Sequence, residues 1–296
     1  MAYDTFGDIQ NAVLNRVAID DDDVKITVKQ AINDSQDEIV GAHNFSWLYG
    51  RSSFITSSPY KSGTVSVTND SATVTGTGTT FTSAMVGRKF RCGSATYIIL
   101  TFTSTTEIVL ETAYAGTTDT AATYKIYQDE YSLASDCEDV LSCYQEDNPK
   151  KLVKKPIDWI DEHYPKRDSF GYPYWYSDIG VDSSGYNKVA LYPVPNQSKN
   201  IYYRYRKRAT VLSATTDVPI IPARYRYVLA KGSIYTALKY LDMPDIGGDI
   251  EREYRAGIGA MIAADRQIDE RFRKGSSKDE EKGYAFLGSD YPLSPW

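Results

Sequence analysis

Histidine and cysteine are scarce in this 296-residue chain, which has two of the first (His43 and His163) and three of the second (Cys92, Cys137 and Cys143). Two histidines in unrelated local contexts remove most metal-centre and nucleophile–base schemes. Three cysteines are an odd number without metal-ligand spacing, so they read as buried or idle thiols. No apolar run approaches the ~20 residues that span a bilayer, and the opening MAYDTFGDIQ lacks the basic and apolar regions of a secretion signal. The expectation is a soluble protein made in the cytoplasm. Excess positive charge is also missing: 33 Lys and Arg against 39 Asp and Glu leave a net charge of −6, which argues against a general nucleic-acid binder. The run Asp20 to Asp23 lacks the alternating ligands, central Gly and distal Glu of a calcium loop, and reads as a helix cap. TGTGTT (75–80) has neither the lysine nor the following helix of a phosphate-cradling loop. No metal or cofactor is expected.

What is present is a mosaic. A Thr/Gly/Val-rich block from Ser62 to Tyr127 alternates short apolar runs with Asn-Asp, Gly-Thr-Gly and Ala-Gly turns, which is strand-and-turn chemistry. It interrupts a host whose other segments carry charged, helix-forming sequence. In the first, Phe6, Ile9, Val13 and Val17 recur at helical steps, with Asp4 as a candidate N-cap. In the second, Val24, Val28, Ile32, Ser35 and Ile39 form one stripe. Two more helices are read over Ala223 to Leu241 and Asp245 to about Phe272, where Gly247, Gly248, Gly257 and Gly259 either weaken the second helix locally or permit close approach of another one. The strand through Ile55 is expected to pair with the block's exit, Tyr124 to Leu133, putting the insert at a hairpin tip. KVALYPVP and NIYYRYRKRA read as two strands of a small antiparallel sheet. The fold expected is α+β: a helical-bundle host (1–60 and 125–272) with a small antiparallel sheet, an inserted all-β domain (61–124, immunoglobulin-like or a small barrel), and an extended C-terminal arm (273–296).

Charge and aromatics point to interfaces. Residues 1–50 hold nine acidic side chains against three basic ones, whereas residues 199–231 hold eight basic ones against Asp217 alone. On charge alone these read as two ordinary solvated faces, and the alternative is that opposite fields on one subunit guide head-to-tail packing of identical copies. Tyr and Arg dominate interface hot spots, and RYRKR with ARYRY interleaves them, which selects Tyr203, Arg204, Tyr205, Arg206, Arg224 and Arg226 as a subunit or tail interface. After Lys274 the chain is hydrophilic and then carries Tyr284, Phe286, Leu287, Tyr291, Leu293 and Trp296, the pattern of a segment that orders on a partner. Two rival readings stay open. The Tyr-rich FGYPYWY segment with the insert suits a glycan-binding module, and the acids Asp158, Asp161 and Glu162 beside His163 suit a cell-wall hydrolase, although nothing in the sequence sets two carboxyls across a bond.

The order of a two-helix start, a WLY strand, YSLASDCEDV, VALYPVPNQSKNIYYRYRKRATVLSATTDVPIIPARYRYVLAKGSIYTALKYL and a long last helix resembles the head-to-tail adaptor (head-completion or connector) proteins of tailed bacteriophages. Leu212-Ser213, Asp217 and Pro222 fall in that family's order between the Tyr-rich strand and the Pro-led helix. The resemblance covers residues 1–60 and 125–272 and leaves the insert as a decoration. It implies a virion structural protein without catalysis or cofactor, a ring of twelve copies beneath the portal that completes the DNA-filled head and presents the docking site for the tail or nozzle protein. DNA would pass through its channel without sequence-specific binding, and no membrane is involved. It also implies that the C-terminal arm runs along the portal, making Tyr284, Phe286, Leu287, Tyr291 and Trp296 portal-binding residues.

Overall fold

In the computed structural model, the structure describes residues 3–18, 21–147, 151–167, 169–243 and 248–284, with side chains as far as Arg266. The chain divides into two compact units, Met1–Tyr49 with Lys207–Trp296, and Gly50–Arg206.

The first unit is helical. α1 (Phe6–Val17) starts at Thr5, whose Oγ1 accepts from the Asp8 N–H (3.2 Å) while Asp8 accepts from the Thr5 N–H (3.0 Å). This reciprocal box satisfies two end groups at once, so Thr5 and not Asp4 is the cap. α2 (Asp22–Ala42) is capped by Asp21, and Val24, Val28, Ile32, Ser35 and Ile39 are buried along one side as their spacing predicts. α3 (Ile157–His163) belongs to the other unit; α4 (Arg226–Tyr240) and α5 (Gly248–Tyr284) complete this one, joining Phe6, Ile9, Ile32, Val228, Leu229, Tyr254 and Met261 in one core. α5, expected to end near Phe272, continues as helix to Tyr284. Two glycines set the α4–α5 contact. A Cβ on Gly232 would stand 2.5 Å from the Tyr254 ring, and one on Gly257 2.9 Å from Val228, whereas Gly259 faces open space.

The segment between the last strand and α4 has no ladder of its own, so its backbone groups find partners on the helices. Asn33 Oδ1 accepts from the Leu212 N–H (2.7 Å) and Gln36 is bonded to the Thr210 carbonyl (3.0 Å) and the Ile220 N–H (3.3 Å). Asp217 accepts from the Ser213 and Ala214 N–H groups (2.8 Å each), a turn that aims the Thr215 and Asp217 carbonyls at the free N–H groups of Gly7 and Phe6. The Leu212, Ser213 and Asp217 pattern therefore encodes a cap for α1. Gln36→Leu, at a fully buried position, orphans two backbone groups and is expected to cost about 2–4 kcal/mol, read as lost hydrogen-exchange protection at Ile220.

The second unit overturns the expectation of a helical-bundle host with a small antiparallel sheet: the chain is mostly β, with two seven-stranded sheets and, among the described residues, five α-helices. The host sheet uses β1 (Tyr49–Ile55), β9 (Glu130–Ser132), β10 (Cys137–Gln145), β11 (Lys151–Lys154), β13 (Trp175–Val181), β14 (Asn187–Tyr192) and β16 (Asn200–Lys207), in the order β1-β16-β10-β11-β13-β14-β9. It is mixed, because β11 and β13 run parallel. A parallel pair needs a crossover, and α3 (Ile157–His163) lies between the two in the chain. β12 (Phe170–Gly171) and β15 (Val194–Pro195) form a short parallel pair. The pairing of β1 with β16 replaces the expected hairpin with residues 124–133. The sheet's β1, β14 and β16 are the strands expected from the sequence; its extent is obscured there because tyrosine occupies both faces of its strands and blurs the two-residue period that marks one side as buried.

The insert contributes β2 (Thr64–Val67), β3 (Thr73–Thr77), β4 (Lys89–Cys92), β5 (Ala95–Ser104), β6 (Glu107–Leu110), β7 (Asp119–Ala122) and β8 (Tyr124–Tyr127), ordered β7-β2-β3-β6-β5-β4-β8. Its edge strands β7 and β8 are consecutive in the chain and both contact the incoming segment, Val65 with Ala122 and Tyr60 with Ile126, so the sheet curls toward a barrel. Val65, Val74, Phe81, Phe90, Ile99, Ile108 and Ile126 fill it. A chain of charges joins insert to host. Lys89 lies 2.8 Å from Asp129 and 3.0 Å from Glu130, and Lys188 lies 2.9 Å from Glu130.

Candidate functional site

Alternation along β16 decides what its aromatic–arginine sequence can do. Ile201, Tyr203 and Tyr205 point into the host-sheet core, while Tyr202, Arg204 and Arg206 take the opposite face. Tyr203 Oη accepts from the Ala134 N–H (2.8 Å), Tyr205 donates to Asp136 (2.8 Å), and burial pushes both phenols above the ordinary tyrosine value. These two residues of the sequence-derived interface are thus held inside the subunit. Arg206 lies 3.2 Å from Glu138. Arg226 binds the Ile221 carbonyl (3.1 Å) and the Asp4 carbonyl (3.0 Å), so it ties its own unit together. Arg204 is exposed, and so is Arg224, which lies over the Tyr225 ring at 4.5 Å.

The outer face of the host sheet gathers residues that sequence reasoning passed over. Tyr144 and Tyr202 stack across β10 and β16 with centroids 5.5 Å apart, and the Arg51 guanidinium from β1 lies 5.1 Å from the Tyr202 ring and 5.9 Å from Tyr144. Register carries the face onward, since Tyr144 stands opposite Lys151, Val153 opposite Trp175, and Trp175 opposite Tyr192. At the far end Tyr164 stacks on Tyr192 (4.6 Å) and Trp175 (5.4 Å), and Trp159 of α3 meets Trp175 edge-on (5.5 Å). The WIDEHYP, YPYWY, ALYP and YYRYR blocks therefore converge on one surface. Half of it lies under α3 and its flanking Tyr164; Arg51, Tyr202, Tyr144, Arg204, Lys151 and Val153 occupy the other half. Arg51 and Tyr144 were legible only through strand alternation, which needs the partner strands to be known.

The acids of the hydrolase reading do not converge. Asp161 is paired with Arg167, Asp158 and Glu162 are exposed, and His163 stacks on Trp159 (4.3 Å) with Nδ1 2.9 Å from the Trp159 carbonyl. Among the described residues no group of His, Cys, Asp or Glu is arranged to hold a metal ion, and no helix is long and apolar enough to cross a membrane. Of the residues expected to bind a portal, Phe286, Leu287, Tyr291 and Trp296 lie outside the described residues, as does the Tyr284 side chain. What the surface offers is recognition: flat aromatic and guanidinium groups of the kind that dominate protein contacts.

No curated protein sequence matches the chain. A protein-family model described as SU10 adaptor protein matches residues 4–276, spanning both compact units and the insert. The resemblance read from the sequence is borne out by that match, and the chain is a virion structural component of a class that is not enzymatic: it belongs to the SU10 adaptor protein family of phage structural adaptors.

Proposed function

We propose that this adaptor is the ring-forming head-to-tail connector of its virion, seated beneath the portal of the DNA-filled head and presenting the docking site for the tail or nozzle protein. The observation that carries this reading is the family match across nearly the whole chain. The opposed charge of residues 1–50 and 199–231 supports head-to-tail packing of identical copies, with twelve as the expected number. DNA passes through the ring without base-specific contacts. Light scattering coupled to size-exclusion chromatography tests the reading on the chain alone and with the portal: a stoichiometric ring on the portal supports it, and absence of any association in the mixture sinks it.

In this reading Tyr284, Phe286, Leu287, Tyr291 and Trp296 anchor the subunit to the portal. Deleting 285–296 removes four of the five and leaves every described residue in place. The expected result is an unchanged thermal transition and a loss of portal affinity of about a hundredfold or more, the scale of two to three hot-spot aromatics. Wild-type portal binding by the truncated chain would refute the assignment.

A further inference from the structure

The uncovered half of the host-sheet face is out of balance in both charge and polarity. Arg51, Arg204 and Lys151 are exposed there, and Val153 on β11 is about half exposed, at 52%. The adjacent carboxylates are engaged, Glu138 at Arg206 and Glu146 with the Asn200 amide (2.9 Å). A sheet buries such a face under another layer, most simply a helix, and α3 does so at the other end.

The complementary surface is on α2. That helix carries Asp22, Asp23, Asp34, Asp37 and Glu38 against Lys25 and Lys29, and Lys25 is taken by Asp22 (3.1 Å). On the side away from its buried stripe, Asp23, Ile26, Gln30, Asp34 and Asp37 follow one another at three- and four-residue steps, forming a line about 21 Å long, in which the half-buried Asp34 accepts from the Tyr240 hydroxyl (2.7 Å). Ile26 is 65% exposed in the middle of that acidic line. Partial burial, with Asp34 beside it, pushes the Asp37 carboxyl above the ordinary aspartate value, as happens to a carboxylate lacking a counter-charge.

We propose that the acidic outer stripe of α2 from a second copy of the chain docks on the Arg51–Tyr202–Tyr144–Arg204–Lys151 half of the host-sheet face. Ile26 then packs on Tyr144, Tyr202 and Val153, and the exposed Asp23 and Asp37 on either side of it meet the basic groups of that face. Because the two surfaces are different patches of the same chain, the contact is heterologous, and repetition of it generates a ring when the rotation closes. The inference rests on the ring reading above and specifies which surfaces make it.

Reciprocal charge reversal in the full-length chain tests the pairing. Arg51→Glu/Arg204→Glu turns the face acidic, and Gln30→Lys/Asp37→Lys turns the stripe basic; all four positions are exposed, and unchanged circular-dichroism melting verifies folding. In sedimentation equilibrium at low salt, each variant alone is expected to self-associate at least about tenfold more weakly than wild type, the cost of like charges at close quarters. Mixed one to one, the two are expected to return to within about threefold of wild type, because each altered surface then meets one of opposite sign. Variants that associate as well as wild type, or a mixture no stronger than its components, overturn the proposed pairing while leaving the ring reading standing. Wild type that stays monomeric at about 1 mM, where even a weak contact shows, and also on the portal, removes the ring reading itself.

Discussion

Lys89→Met is expected to destabilise the 50–206 unit by about 3–5 kcal/mol, among the largest single-residue effects available to this chain. Lys89 stands on the insert, and the Asp129 carboxylate it meets at 2.8 Å is almost wholly buried on the host side. Removing one partner strands a charge that cannot reach water, which costs far more than the pair contributes. Lys89→Met/Asp129→Leu, which removes both, is therefore expected to recover most of the loss. Hydrogen exchange at Val189, Ala190 and Leu191, beside Asp129 and Glu130, reads the effect locally. Equal loss in the single and double variants would show that packing, not stranded charge, sets the cost.

The same charges give the unit a pH signature. Burial opposes ionisation of Glu130, but hydrogen bonding to Lys188 and the charge of Lys89 outweigh it, leaving its pKa below the ordinary value of 4.5. A depressed carboxylate stabilises the fold above the unfolded value, and that contribution is lost as pH falls through the folded one. For Lys89, burial is likewise outweighed by Asp129 and Glu130, raising its pKa above 10.5. Its contribution is complete below that value and lost as pH rises through the folded one. Protection at Val189 to Leu191 should therefore decline at the acid and the strongly alkaline ends, with Lys89→Met reducing the alkaline decline to the part that the buried Tyr131 and Tyr176 phenols contribute.

The second large effect is a reversal of sign. Tyr254→Ala empties a fully buried site in the helical unit and is expected to cost about 3–5 kcal/mol. Gly232→Ala alone pushes a methyl to 2.5 Å from the Tyr254 ring, and the forced repacking is expected to cost about 1–3 kcal/mol. In the Tyr254→Ala background the same alanine meets no ring and gains about 1 kcal/mol of helix propensity. Urea unfolding of the four chains measures the coupling. Gly232→Ala destabilising by the same amount in both backgrounds would mean that the ring is not what excludes a side chain there.

The helical unit was largely legible because Val24, Val28, Ile32 and Ile39 are unambiguous apolar residues at helical spacing, and nothing else in α2 competes with them. Asn33 and Gln36 were not, since the backbone they satisfy lies more than 170 residues away. The host sheet was legible only in fragments. Tyrosine serves both a core and an exposed face, so composition alone read Tyr203 and Tyr205 as contact residues. The alternation of Ile201, Tyr203 and Tyr205 against Tyr202, Arg204 and Arg206 held the better signal: an isoleucine marks the inner face for every second residue. Arg51 and Tyr144 became visible only once β1, β16 and β10 were neighbours. The parallel pairing of β11 with β13 had no sequence mark beyond the short helix between them.

The adjacency of β1 and β16 bears on the order of events at the ribosome. The chain enters the 50–206 unit by one of these strands and leaves by the other, so α1 and α2 emerge first and wait through the synthesis of 157 residues before α4 and α5 exist. Closing so long a loop from an unfolded chain costs about 4–5 kcal/mol of entropy. When the β unit folds as it emerges, the β1–β16 pairing fixes the two crossing points on neighbouring strands and removes most of that cost before the last helices arrive. The helical half of the adaptor is in this sense templated by the half translated in its midst, and damage to the sheet should surface first as helices that fail to find each other.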